Sequence, residues 1–250
     1  MDINQNMHYI YVKKCVMIIL KNNEWRMTMN KKAELYLHSL MCTMGGFLGM
    51  YAILNRGDNL GSAQTANLLY IITTFLGHNT FEFLLRVLGM VLYFSAIEIY
   101  VILVHKTSVN VQRYSILVNM IGVIILCLIP VTADPVLGIL PIFFMMATQW
   151  SVFHGNSEYA SSTIFSTNNL RQTALALGEY YCDRDKKHLA KAKYFSNSLL
   201  WYHLGAVVSF LACDCWGIAA CLLGFVPSVL GLLLTFEKTR NLAFVPKKSL

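Results

Sequence analysis

The sequence predicts an all-α membrane protein, with about six transmembrane helices plus two short re-entrant helices, built as two inverted three-helix repeats. Three observations carry that prediction. Of the 250 residues, 56% are hydrophobic and only 13% charged, with a mean hydropathy of +0.51. A soluble domain averages about 45–50% apolar and about 25% charged, so this little charge cannot cover a water-soluble globule. Several runs reach the roughly 18–20 apolar residues needed to cross a bilayer core. Finally, one unit occurs twice, as RGDNLGSAQTANL at 56–68 and HGNSEYASSTIFSTNNL at 154–170. In each copy an apolar run ends in a basic residue and Gly (Arg56-Gly57, His154-Gly155). A small-polar loop, Thr-x-Asn-Leu and a short apolar segment follow. A repeated order of this kind marks an internal duplication.

In chain order, residues 1–33 are polar and irregular apart from an apolar patch from Cys15 to Leu20. That patch is too short to span, and no small-residue cleavage site follows it, so no secretory signal is expected. With Met27 and Met29 just before the organised part, 1–33 reads as a dispensable extension or a misplaced start codon. Residues 34–241 read as one integral membrane domain, with repeat 1 over about 38–131 and repeat 2 over about 136–236, and 242–250 as a cytoplasmic tail. The first span, 38–55, carries Gly45, Gly46 and Gly49, a small-xxx-small pattern that lets helices approach closely in lipid. ANLLYIITTFLG (66–77) makes a helix of about 18 Å, short of the roughly 30 Å core, and is therefore read as re-entrant. Spans follow at 81–104, at 114–131 (stopped by Pro130 and TADP) and at 136–153. The second short helix, 169–181, is more polar, with Arg171, Gln172 and Glu179. CDRDKKHLAKAKY (182–194) reads as a basic linker before the last spans, 195–212 and 216–236.

The net charge of +7 comes from 20 Lys+Arg against 13 Asp+Glu. The basic residues collect at Lys13, Lys14, Lys31 and Lys32, at 184–193 and near the C-terminus, a positive-inside pattern. No aromatic-interleaved basic groove accompanies them, so nucleic-acid binding is not expected. Placing both short helices as re-entrant leaves six spans with the N-terminus, 105–113, 182–194 and the C-terminus cytoplasmic. The opposite face then carries only Arg56, TADP and the CDC turn. A rival model makes the short helices true spans, giving eight and a parallel repeat, with Lys106 and Arg113 outside.

Short helices at matched positions of two inverted halves point to a transporter's binding site. A helix starting inside the membrane exposes unpaired N–H groups and the positive end of its dipole, and Thr and Asn cap such starts. Thr65 and Asn67, with Thr167 and Asn169, are therefore expected to stabilise two facing helix N-termini that hold a small polar or anionic solute. Gln64 and Gln149 add amide donors and acceptors. The competing reading is that Thr-x-Asn only caps and packs the halves together, and that the glutamines bridge helices. Arg86 and Glu98 lie near span ends and read as structural, snorkelling residues. His154, His203 and Glu158 lack a second acidic partner at helical spacing that would suggest proton coupling. Seven cysteines show no repeated spacing, and Cys213 and Cys215 lack companions for a metal site, so no metal or cofactor is expected. There is no HExxH, GxSxG, phosphate loop or matched carboxylate pair, and no enzymatic activity is expected.

At these motifs the chain resembles the YoaK family of bacterial membrane proteins of unknown function, over about 37–236. Gly45-Gly46 matches its Gly-Gly, and Ala63-Gln64-Thr65-Ala66-Asn67-Leu68 matches its Ala-x-Gln-Thr-Gly-Asn-Leu text. Its Gly-Met-Gln-Asn is seen only as Ala147-Thr148-Gln149-Trp150, and its second Thr-Gly as Thr167-Asn168. The chain departs at Gly49, where relatives commonly have Asp, and at Ala66 and Asn168, which replace glycines. If that Asp couples ions in relatives, the coupling is missing here. The resemblance implies a six-span, multi-pass protein of the bacterial inner membrane. The residues themselves are best read as those of a transporter or channel for a small polar or anionic solute in the lipid bilayer. The alternative is a non-transporting scaffold, sensor or partner subunit.

Overall fold

A computed structural model describes residues 31–156 and 158–243, with side chains as far as Glu237. The apolar patch at 15–20 and the tail at 244–250 lie outside the described residues. The chain is helical. Helix α1 (Lys31–Asn55) is already helical at Lys31, ahead of the expected start near His38. It is followed by α2 (Gln64–Leu76), α3 (Thr80–Lys106), α4 (Val111–Leu128), α5 (Pro135–Val152), α6 (Thr167–Asp183) and α7 (Lys186–Trp216), then a 3-10 segment (Gly217–Gly224) and α8 (Phe225–Ala243). Among the described residues there is no strand, only an isolated antiparallel bridge between Gly155 and Ala160. Five stretches are long and apolar enough to cross a membrane, the last being the 52-residue run Lys186–Glu237 that contains both α7 and α8.

The helix ends follow from local chemistry. Asn79 and Asn110 accept from the backbone N–H groups of Glu82 and Arg113, starting α3 and α4. Asp134 accepts from Val136 and Leu137 ahead of α5, and Pro135 sits in the first turn, where its missing N–H costs nothing. The stretch expected to be a basic linker is instead mostly helix. Only Arg184 (φ +59°) and Asp185 separate α6 from α7, and Asp185 accepts from the Lys187 N–H. Hydrogen bonding from Lys187 holds the Asp185 carboxyl below its ordinary range. At 31 residues, α7 is about 46 Å long, so its first turns extend past the apolar core. Lys, Ala and Leu favour helix in water as well as in lipid, which hydropathy alone does not reveal. After α7, Gly217 (φ +55°) ends the helix, and the expected span at 216–236 opens as the 3-10 segment.

Helices α1 and α5 are the buried pair. Met44, Phe47, Leu48 and Tyr51 of α1 share one core with Val136, Ile139, Phe143 and Met146 of α5. By contrast only 17% of the most apolar stretch of α3 is buried. Its Leu84, Leu88, Val91 and Phe94 face outward, as do Leu204, Val207, Val208 and Leu211 of α7. Apolar faces of this extent suit a lipid solvent. α2 folds back on α3 and α6 on α7, while α5 packs against α3 and α4, and α4 against α8.

Three glycines set the closest approaches. A Cβ on Gly46 would overlap the Tyr202 carbonyl of α7, and one on Gly205 would overlap the Thr43 carbonyl of α1. One on Gly45 would overlap the Thr163 carbonyl, in the loop before α6. The loop before α2 makes the converse contact, with Gly61 against Ile142 of α5.

Candidate functional site

The segment between α1 and α2 is anchored by Arg56. Gly57 (φ +62°) and Asp58 (φ +57°) turn the chain sharply and leave the Arg56 side chain pointing inward, where it is fully buried. Its guanidinium donates to the carbonyls of Ile129 (2.8 Å), Pro130 (2.9 Å) and Leu126 (3.4 Å), the unpaired end of α4. A cation at a helix C-terminus meets the negative end of the dipole, and no carboxylate pairs with it among the described residues. The sequence had placed Arg56 on the outer face. At the matching position of the second motif, His154 is exposed; its Nδ1 lies 3.1 Å from the Ser151 carbonyl, and its own carbonyl accepts from the Ser161 N–H (3.1 Å).

Beyond this anchor the chain enters α2, one residue before Thr65. The N-cap is Ala63 and makes no side-chain cap; at α6 the N-cap is Ser166, likewise without a side-chain bond. The expectation that Thr65 and Thr167 cap is therefore corrected. Each lies inside the first turn with its side chain exposed, because both helices begin two residues earlier than the apolar pattern implies.

The two asparagines do turn inward, and they differ. Asn169 is 1% exposed and has every group bonded. Its amide donates to the carbonyls of Ser162 (2.7 Å) and Phe165 (3.3 Å), while Oδ1 accepts from the Ser162 N–H (3.2 Å) and from Ser161 Oγ (3.1 Å). Asn67 is 2% exposed. Its amide donates to the Arg86 carbonyl (3.0 Å) and to Gln64 Oε1 (3.3 Å), but its own Oδ1 has no partner among the described residues. Gln64 Nε2 and, just before the helix, Ser62 Oγ are also buried without partners among the described residues.

Arg86 is 5% exposed and does not snorkel: it pairs with Glu82 (2.6 Å) and lies over the Tyr70 ring at 4.2 Å, tying α2 to α3. Gln149 is fully buried and bridges helices. Its amide donates to the Met41 carbonyl (2.9 Å) and Thr163 Oγ1 (3.2 Å), and Oε1 accepts from Asn119 (2.8 Å).

The structure thus divides the six predicted residues. Gln64 and Asn67 form one group, Gln149 of α5 and Asn169 of α6 each hold the second loop, and Thr65 and Thr167 face outward. Among the described residues no hydrogen bond joins the groups directly, yet both loops lie along α5: Gly61 touches Ile142, and Thr163 touches Gln149, about 10 Å further along the helix.

Sequence reasoning missed three residues beneath the second loop. His38 Nε2 lies 3.2 Å from both Ser161 Oγ and Ser198 Oγ, and the serines are 2.9 Å apart. The signal available was a histidine at the edge of the first span, and nothing in sequence links it to serines 123 and 160 positions away.

By the helix dipole alone, an Asp at either asparagine would be favoured and folding left intact, an expectation drawn from their place at helix starts. The bonding of Asn169 reverses this expectation. Asn169→Asp removes two buried donor bonds and sets a carboxylate against the Ser162 and Phe165 carbonyls. At about 1–3 kcal/mol for each buried group left unpaired, the variant should lose several degrees of thermal stability in detergent. An unchanged melting midpoint would refute the loop-closing role of this side chain.

Residues 37–234 match a family described as a protein of unknown function, DUF1275. Both copies of the repeated motif lie inside those bounds. No curated protein and no solved structure matches the chain. Several long apolar helices, outward-facing apolar side chains and the matched residues agree, and the chain belongs to the DUF1275 family.

Proposed function

We propose that this protein is a carrier or channel for a small polar or anionic solute, bound where the segment before α2 enters the membrane. One observation carries the proposal. Ser62 Oγ, Gln64 Nε2 and Asn67 Oδ1 are buried beside an uncapped helix start without hydrogen-bond partners among the described residues. Each such atom costs about 1–3 kcal/mol, so a hydroxyl, a donor and an acceptor left open together suit a solute that brings its own. The helix start adds positive potential that favours an anionic group. Nothing in this role requires catalysis or a cofactor.

The proposed topology has six crossings in two inverted halves, with both termini cytoplasmic in a bacterial inner membrane. Supporting the inversion, each interrupted loop packs on the first helix of the other half, Thr163 against Gly45 and Gly61 against Ile142. Supporting the orientation, Lys31, Lys32, Lys106, Arg113 and the basic start of α7 all fall at ends that this arrangement puts on one side.

The test is a thermal-shift screen of polyols, amino acids, carboxylates and inorganic phosphate on the purified protein, followed by Ser62→Ala and Gln64→Met on the best hit. Ser62→Ala removes a hydroxyl with no partner, and Gln64→Met gives up only the bond from Asn67. Unliganded stability should hold or rise slightly, while affinity for the hit falls at least tenfold, about 1.4 kcal/mol. Full ligand stabilisation in both variants would rule out this site. A second reading, a non-transporting scaffold or partner subunit, is favoured by the complete pairing of Gln149 and Asn169, and that outcome would select it.

A further inference from the structure

We propose that His38 is a proton-binding site whose occupancy is passed through Ser161 and Ser198 to Asn169 and the loop before α6. The ring is 5% exposed and stacks on Tyr194 with centroids 5.8 Å apart. Two adjoining cavities of about 350 and 380 Å³ reach it, sharing Glu34, Gly155 and Asn156 in their lining, and give protons a path to a buried imidazole.

The hydroxyl protons make the site bistable. With the neutral ring protonated on Nδ1, Nε2 is an acceptor and takes a hydrogen bond from one of the two serines. When Ser161 supplies it, Ser161 no longer donates to Asn169 Oδ1. A proton arriving from vestibule water forms the Nε2–H bond, and Nε2 becomes a donor. The Ser161 hydroxyl is then free to turn to Asn169 Oδ1 (3.1 Å), in competition with Ser198 Oγ (2.9 Å), while that of Ser198 turns to the Tyr194 carbonyl (3.4 Å). One proton is bound, no other covalent bond changes, and a hydrogen bond to Asn169 becomes available that the neutral ring had withheld. Because Asn169 also holds Ser162 and Phe165, the loop is the element that responds.

The groups facing the ring come from every element around it. Lys31 and Glu34 precede it on α1, and Cys42 lies one turn beyond. His154 and Glu158 belong to the loop, and Tyr194 to α7. The neutral Asn169 of α6 and Gln112 of α4 complete the surroundings. The proposal needs no solute and stands or falls separately from the carrier reading.

The experiment uses the full chain in detergent with histidine labelled at the ring carbon. It is titrated by NMR from about pH 4 to about pH 9, bracketing the ordinary imidazole value near 6.5. His38→Gln assigns the resonance. In parallel, hydrogen exchange of residues 158–166 is followed over the same range and corrected for intrinsic rates. The His38 signal should titrate, and loop protection should change at least about threefold through the same interval. His38→Gln should show no such change. If His38→Gln does not fold, Ser161→Ala serves instead: its imidazole should still titrate while the loop no longer follows. A His38 signal that is flat across the range, loop protection that ignores the titration, or a wild-type profile in Ser161→Ala would each overturn the proposal.

Discussion

Arg56→Met is expected to destabilise the protein by about 3–5 kcal/mol, since each carbonyl left unpaired costs about 1–3 kcal/mol. The side chain is fully buried, and three carbonyls at the end of α4 depend on it. Methionine fills much of the volume but leaves those carbonyls without the guanidinium donors. Arg56→Lys keeps the charge but replaces the planar fork by a single point of donation, so it should recover only part of the loss. The measurement is thermal unfolding in detergent, read with the fraction of monodisperse protein recovered. If Arg56→Met unfolds at the wild-type midpoint, the guanidinium does not anchor α4. Arg56→Lys matching wild type would show that charge alone suffices and that the fork geometry is irrelevant.

The crossing of α1 and α7 should be as sensitive. Alanine at Gly46 or Gly205 places a Cβ against a backbone carbonyl of the other helix, and a carbonyl cannot swing away as a side-chain tip would. Each substitution is expected to cost about 3 kcal/mol, the upper end of the usual overpacking range. Because both act on one crossing, the double variant should cost less than the sum. Gly178 provides the control. It sits in α6 with nothing within 4 Å of an added Cβ, so Gly178→Ala should gain about 0.5–1 kcal/mol from helix propensity alone. Wild-type midpoints for Gly46→Ala and Gly205→Ala together would refute this close approach.

Much of the architecture was legible in the sequence because lipid imposes a one-dimensional rule. A segment that crosses must be apolar for some twenty residues whatever its neighbours are, and the apolar cores of the long helices were placed accordingly. The ends were not. α1 extends back to Lys31 and α7 back to Lys186, through polar residues that favour helix once outside the apolar layer. The glycines of the first span were legible as a close-packing surface, but not their partners, Tyr202 and Thr163.

The repeated Thr-x-Asn-Leu also identified the asparagines as a pair. It could not show that their environments differ. His154 and Thr167 are four positions further apart than Arg56 and Thr65. The longer loop supplies Ser161, Ser162 and Phe165 to saturate Asn169, while the shorter one leaves the Asn67 oxygen open. Composition and hydropathy by themselves determined that this chain is all-helical, with several helices long and apolar enough to cross a membrane. Only the tertiary structure decided which polar atoms remain unpaired, where Arg56 points and what His38 touches. Hydropathy is a sum over neighbours in sequence, whereas a hydrogen bond is settled by two atoms within about 3 Å, here drawn from helices and loops more than a hundred residues apart.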